Sequence, residues 1–149
     1  MIEYIGVFLA VQMAMIATAL WEARIEGKNI GASEQVGWRA NFLGIKFTEY
    51  HFWLWIVAYP LLLILPLIVN FSGELAIVLI SSYLFGMVWE DFMWFVFNPY
   101  FNLSHFNSKE VKWYPWLKIG KFEVPLFYAM YIVVAFLIYL IYLLIAKIF

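Results

Sequence analysis

The sequence predicts an all-α integral membrane protein, built as a single domain of four transmembrane helices. Of its 149 residues, 66% are hydrophobic and only 13% are charged, whereas a soluble domain is about half apolar and a quarter charged. Four apolar segments are long enough to cross a bilayer, which takes about 20 residues in a helix. Between these segments, the basic residues fall almost entirely in two loops. Together these observations predict a four-helix bundle in a membrane.

The first predicted helix covers about residues 3–22. It opens with an acidic residue, Glu3, and lacks the basic start of a secretory signal peptide, so we expect it to be retained. Small side chains recur along one of its faces, and such a stripe lets helices approach closely in lipid. We therefore expect the stripe to be the packing face of a central helix. Its members are Gly6, Ala10, Ala14 and Ala17.

The other three predicted helices cover about 50–69, 75–97 and 125–146. Pro60 and Pro66 remove backbone donors from the second helix and predict a kink in its outer half. No internal repeat of domain size is evident along the chain. The tyrosines of the fourth helix are expected to be packing or interface residues. They are Tyr128, Tyr131, Tyr139 and Tyr142.

The orientation follows from the basic residues, because lysine and arginine are concentrated in cytoplasmic loops. Eight of the nine lie in loops 23–48 and 98–124, which fall on the same side of a four-span protein. We therefore expect both loops to be cytoplasmic, both termini to be non-cytoplasmic, and the protein to be a multi-pass protein of the cell membrane. Within the first loop, residues 38–46 predict a short helix at the membrane surface. The aromatic second loop should lie on the interface or fold back over the bundle.

Two adjacent acids, Glu90 and Asp91, define the candidate site in the apolar run "VWEDFMWFVFNPYF" (88–101). An ionised carboxylate facing lipid costs roughly 3 kcal/mol, so both acids should face the bundle interior, where we regard them as candidate catalytic residues. The topology brings further polar and tryptophan side chains to the same cytoplasmic end. The candidate metal ligands are Glu22, Glu26, His51 and His105. The candidate ion-pair or pocket residues are Arg39, Asn98, Trp21, Trp89 and Trp94.

Two adjacent acids in a low dielectric cannot both stay charged without a partner, and three kinds of partner are open. A basic residue can fold in as a counter-ion, which makes the cluster structural, the commonest outcome for buried charge. A divalent metal such as zinc, iron or manganese can bind the carboxylate and imidazole groups. Glu22 and Glu26, four residues apart, would then supply two ligands from one helix face. Alternatively, a titrating acid can transfer protons.

Several chemistries are excluded or disfavoured by what the sequence lacks. There is no cysteine, which removes disulfides, thiolate metal sites and cysteine nucleophiles. No P-loop, dinucleotide-binding or GxSxG motif is present. The net charge of −1 provides no basic field for nucleic acid. The polar groups also cluster at one end, whereas channels and transporters usually place them near mid-membrane.

Two stretches, "WEARIEG" (21–27) and "WEDFMWFVFNPYF" (89–101), resemble a family of small, uncharacterised prokaryotic membrane proteins. The resemblance implies the same four-helix layout. It implies no activity and carries no catalytic residues to this chain.

Two functions therefore stay open. One is a small membrane enzyme that acts on a lipid or another amphipathic substrate at the cytoplasmic leaflet, with a divalent metal in one version. The other is a non-catalytic accessory subunit or assembly factor of a membrane complex. In that case its partner is another membrane protein, and the polar cluster serves internal stability.

Overall fold

The computed structural model describes residues 2–29, 37–42 and 44–145. Four helices in this part of the chain are long and apolar enough to cross a membrane, which confirms the predicted helical class. They begin and end within a few residues of the predicted positions, although the predicted end at residue 146 lies outside the described residues. The helices are α1 (Ile2–Glu26), α2 (Glu49–Val69), α3 (Gly73–Phe97) and α4 (Leu126–Ile145).

Helices α1 and α3 form the centre of the bundle. The buried apolar residues of α1 recur every four residues at Val11, Met15, Ala19 and Ala23. This spacing places them on one face of a helix with 3.6 residues per turn. The prediction that the small-residue stripe forms the packing face is wrong, because its members lie on the exposed side of α1. They are Gly6, Ala10, Ala14 and Ala17.

The close approach of α1 and α3 depends on a small residue of α3 instead. Gly86 is buried, and a Cβ atom added to it would lie 2.7 Å from Cγ of Met15, which is completely buried. Carbon atoms in contact normally lie ~3.5–4.0 Å apart, so a side chain at this position requires the two helices or Met15 to move. Glu90 follows Gly86 by four residues and lies on the same buried face of α3.

Helices α2 and α4 lie on the outside of this central pair. In their most apolar windows, 6% of the α2 residues and none of the α4 residues are buried. The first half of α2 contains a π-helical stretch, Phe52–Ala58, shortly before Pro60. There the N–H of Tyr59 bonds to the carbonyl of Leu54, five residues back. The distortion next to Pro60 is thus a widened turn, as is common where a helical hydrogen bond is missing.

Two β-hairpins lead directly into α2 and α4. The prediction of a surface helix over residues 38–46 is wrong, because this segment belongs to the first hairpin. Gly44 and Gly120 follow the first strand of each hairpin with φ angles of +84° and +61°, which glycine adopts without strain. The strands are β1 (Arg39–Phe42) with β2 (Ile45–Thr48), and β3 (Trp116–Ile119) with β4 (Phe122–Pro125), both pairs antiparallel.

The loop between α3 and β3 folds back over the end of the bundle, one of the two placements predicted for it. A backbone hydrogen bond from Lys46 N to Trp113 O, at 2.8 Å, joins this loop to β2. Three of its side chains are buried in the same apolar cluster as Ala19 and Ala23 of α1. They are Phe101, Val111 and Tyr114.

Among the described residues, each half of the chain contains a long helix, then a hairpin, and a second helix that follows the hairpin at once; the second half adds a short 3₁₀ turn before its hairpin. In both hairpins the strands have four residues and two residues separate them. Each long helix also carries a Trp-Glu pair, Trp21-Glu22 in α1 and Trp89-Glu90 in α3. No repeat is visible in the sequence, because the similarity lies in the order of elements and one dipeptide, without a sustained period.

Candidate functional site

A partly open cavity of about 150 Å³ lies where the hairpins meet the end of the bundle. Residues from all four helices, from β2 and from the long loop contribute to its wall. Charged and imidazole groups in the lining are Glu22, Glu26, Lys46, His51, Glu90 and Asp91. Aromatic residues in the lining include Trp55, Trp94, Phe95, Trp113, Tyr114, Phe127 and Tyr131.

The two glutamates of the Trp-Glu pairs meet in this cavity. Glu22 and Glu90 are only 5% and 7% exposed, and their carboxyl groups lie in hydrogen-bonding contact. The hydroxyl of Tyr50 donates to Glu22 Oε1. In contrast, Glu90 Oε1 is buried and has no hydrogen-bond partner among the described residues. Two carboxyl groups in contact need a shared proton or a cation between them. This pair therefore lacks a hydrogen-bond donor or a positive charge that a ligand could supply.

Asp91 is held differently, by two phenol groups. The hydroxyls of Tyr128 and Tyr114 donate to Asp91 Oδ2 at 2.6 and 3.2 Å. Burial raises the pKa of Tyr114, and the neighbouring charge of Asp91 raises it further. The Tyr114 hydroxyl therefore keeps its proton and remains a donor. Hydrogen bonds to a carboxylate are stronger than those between neutral groups, so the two phenols fix the orientation of Asp91.

Glu26 and His51 belong to the same polar lining. Glu26 lies one helical turn beyond Glu22 on α1 and is buried. Thr48 caps the start of α2, and its hydroxyl lies 2.7 Å from His51 Nδ1. This contact holds the imidazole ring in place at the cavity. Lys46, on β2, has an exposed side chain at the edge.

The predicted metal ligands do not form a metal-binding group in the part of the chain that the structure describes. Within it, no three or more His, Asp or Glu side chains are arranged to hold a metal ion. Glu22, Glu26 and His51 line the cavity. His105 does not, because it ends a short 3₁₀ turn in the long loop and stacks on Phe101 with ring centres 4.6 Å apart.

The predicted pocket residues divide between the wall and the outside. Trp94 lines the cavity. Trp21 and Trp89 are 49% and 36% exposed and lie outside its lining. Each directly precedes an inward-facing glutamate, and successive helical residues differ by about 100° in direction, so the tryptophans turn away. Arg39 has an exposed side chain on β1 and is also outside the lining.

Asn98 forms hydrogen bonds with backbone groups next to the cavity. It ends α3 and is only 2% exposed. Its amide donates to the carbonyl of Gly27 at 2.9 Å and accepts hydrogen bonds from the N–H groups of Tyr100 and Phe101 at 2.8 and 3.0 Å. Asn98 thereby joins the ends of α1 and α3, which carry the four acids.

Sequence reasoning missed the hydrogen-bond donors of the site. Tyr128 was expected to be a packing residue, yet it donates to Asp91. One signal was available, because Tyr128 lies in the first turn of α4, at the same end of the bundle as the acids. A buried tyrosine usually finds a partner for its hydroxyl. Tyr50 and Tyr114 lie in a helix start and a loop, where only the three-dimensional structure shows which acid they reach.

At the opposite end of the bundle, a second carboxylate accepts hydrogen bonds from two phenol groups. Glu74, in the first turn of α3, accepts from the hydroxyls of Tyr4 and Tyr142, both at 2.8 Å. Glu74 is exposed. It resembles Asp91 in its partners but lies far from the cavity, which makes it a useful control position.

Comparison with protein-family models, curated proteins and solved structures finds no match to this chain. The function must therefore be argued from the cavity itself.

Proposed function

We propose that this chain is a multi-pass membrane protein whose cavity lies at the cytoplasmic end. The four long apolar helices support the spanning of a bilayer. The concentration of eight of the nine basic residues in the loops at the cavity end supports a cytoplasmic position for that end.

The orientation can be tested with single cysteines, since the chain has none of its own. In intact cells, a membrane-impermeant thiol reagent should label Asn70→Cys, in the turn between α2 and α3. Ser108→Cys, in the long loop, should react only after the cells are broken. The reverse labelling pattern would overturn the proposed orientation.

The cavity is proposed to bind the polar head of a small amphipathic molecule. The observation that carries this proposal is the buried Glu90 Oε1, a hydrogen-bond acceptor without a described partner in the lining of an aromatic cavity. The volume of about 150 Å³ is below the ~300–1,000 Å³ of pockets that enclose whole drug-sized ligands. A head group fits this space, and an apolar tail would remain along the lipid-facing helices.

The arrangement of the acids also supports proton transfer to or from the bound molecule. Glu90 Oε1 has no donor, whereas Asp91 accepts from two phenols. When two adjacent carboxyl groups have such different surroundings, one can act as a general acid and the other as a general base. We therefore assign Glu90 and Asp91 as the proton-transferring pair of a small membrane enzyme.

A matched pair of methionine variants tests the binding. Met87 lines the cavity, so Met87→Phe should reduce the space for a ligand, whereas Met130 is 48% exposed on α4. After incubation with monolaurin or dodecylammonium, native mass spectrometry should show saturable binding to the wild type and Met130→Phe, and less to Met87→Phe. Equal binding by all three proteins, or no saturable binding, would refute the binding function. The accessory-subunit hypothesis, with a purely structural cluster, would then stand.

A further inference from the structure

We propose that the head group taken by the cavity is an organic cation, namely an alkylammonium group. This inference rests on the proposed binding function and narrows its ligand to one chemical class. It is carried by the charge of the cavity, by one acceptor without a donor, and by the aromatic walls.

The acidic lining of the cavity favours a positively charged ligand. Glu22, Glu26, Glu90 and Asp91 all lie in the lining. The groups around Glu22 and Glu90 include each other's carboxyl groups and, for Glu22, the hydroxyl of Tyr50. Lys46 has its side chain exposed at the edge. An anionic head group would be repelled by Glu22 and Glu90, whereas a cation beside this pair can take the place of the shared proton that the two contacting carboxyl groups otherwise need.

The acceptor at the centre of the site matches an ammonium donor. Glu90 is 7% exposed, and its Oε1 has no hydrogen-bond partner among the described residues. A buried acceptor without a donor is unfavourable, so a ligand that brings an N–H group gains from filling it. A protonated amine has up to three N–H donors and no acceptor. It can therefore bridge Glu90 and Glu22, whose carboxyl groups are in contact.

The walls favour an organic cation over a metal ion. Trp55, Trp94 and Trp113 line the cavity, and an ammonium group within about 6 Å of an indole face is attracted to it. Indole rings offer nothing to the coordination shell of a divalent metal. Consistent with this, the described residues contain no group of three or more potential ligands arranged around one point.

The size of the cavity limits how much of the molecule enters. A volume of about 150 Å³ is smaller than the ~300–1,000 Å³ of pockets that enclose a whole drug-sized molecule. This space holds an ammonium group and its first methylene groups. The inferred ligand is thus an amine on an apolar chain, bound by its head.

The test compares three amphiphiles with the same chain length and different charge: dodecylammonium, monolaurin and laurate. The dissociation constant of each is measured on the full chain in nonionic micelles by titration of tryptophan fluorescence. Wild-type protein should bind dodecylammonium about tenfold or more tightly than the other two. Glu90→Gln should remove this preference. Glu74→Gln, the same substitution on the same helix at the opposite end, should leave the affinity for dodecylammonium within about twofold.

The outcomes separate the two proposals, and the wild-type measurement decides even where a variant fails to fold. If monolaurin or laurate binds more tightly than dodecylammonium and Met87→Phe blocks that binding, the cation inference is wrong while the binding function stands. If Zn²⁺ or Mg²⁺ alone binds and displaces dodecylammonium, the site is a metal site and the inference is also wrong. If none of the three amphiphiles binds saturably, the proposed function itself fails.

Discussion

Replacing Gly86 with alanine tests how closely α1 and α3 pack against each other. The added methyl group would lie 2.7 Å from Cγ of Met15, and its next contacts within Met15 would be at 3.4 and 3.6 Å. Normal carbon contacts are ~3.5–4.0 Å, so α1 and α3 must separate by about 1 Å or Met15 must leave its position. Met15 is completely buried, and the atom that clashes is near the base of its side chain, which limits its freedom to turn away.

The expected cost comes from overpacking, which typically destabilises a core by ~1–3 kcal/mol. Alanine also has a higher helix propensity than glycine, by up to ~1 kcal/mol, which partly offsets that cost. Gly6→Ala provides the reference, because a Cβ atom there would meet nothing within 4 Å. The propensity gain is common to both variants and cancels. Gly86→Ala should therefore have a free energy of unfolding lower than that of Gly6→Ala by ~1–3 kcal/mol.

The free energy of unfolding can be measured by denaturant titration in mixed micelles, followed by far-UV circular dichroism. The double variant Met15→Ala, Gly86→Ala should lose less stability than the two single variants together, because removing the Met15 side chain also removes the clash. Equal stabilities for Gly86→Ala and Gly6→Ala would refute the reasoning. It would show that α1 and α3 do not meet at Gly86 as closely as the structure describes.

Three further predictions concern the site and the loop beside it. Asn98→Ala removes a buried amide that donates one hydrogen bond and accepts two. It should therefore lower the free energy of unfolding by about 2 kcal/mol or more in the same denaturant titration. A change below about 0.5 kcal/mol would contradict this prediction. Tyr128→Phe removes the shorter of the two hydrogen bonds to Asp91 and should lower the free energy of unfolding by ~1–3 kcal/mol. Tyr4→Phe, which removes a hydrogen bond to the exposed Glu74, should lower it by less. Equal losses of stability in the two variants would contradict this prediction. The pKa of Glu123 is lowered, first by its hydrogen bonds with Ser108, so this loop contact should be fully present above the ordinary glutamate pKa of about 4.3 and be lost as the pH falls through the lower folded value. The protection factor of the bonded amide, which is its exchange rate relative to that of an unfolded chain at the same pH, should therefore fall at low pH in the wild type. Glu123→Gln should abolish this dependence. A protection factor that does not change with pH in the wild type would refute the prediction.

The four helices could be predicted because length and apolar content alone define a segment that can span a membrane. The hairpins could not. Strands of four residues are too short to show a clear alternation, and residues 38–46 have a composition that also suits a surface helix. What decides between them is pairing with a partner strand and a glycine in the left-handed conformation at Gly44. Neither is visible in the sequence of the segment taken alone.

The packing face of α1 was mispredicted for a related reason. A stripe of small residues permits close approach, but it does not show which side of a helix has a neighbour. The contact instead joins a large residue of α1, Met15, to a small one of α3, Gly86. Such complementarity belongs to a pair of helices, so neither sequence reveals it by itself.

The place of the site could be read from topology, while its detailed structure could not. Helix ends on one side of the bundle must lie close together, which brought Glu22, His51, Glu90 and Asp91 to one region. The contact between the two glutamates and the phenol donors to Asp91 depend on side-chain positions that spacing does not determine. The positions of Arg39 and His105 outside the cavity lining depend on the unpredicted hairpin and loop turn.

The central contact of the bundle also sets an order of events during synthesis. Gln12 Nε2 of α1 donates to the carbonyl of Ser82 in α3 at 3.0 Å, across 70 positions of the chain. At ~5–20 residues per second, α1 leaves the ribosome roughly 4–14 s before this partner does. Throughout that interval its polar residues have no α3 to face, although α2 already brings Tyr50 to Glu22. A nascent chain stopped after α2 therefore lacks the partner of Gln12, and the packing of α1 is completed only when α3 has been made.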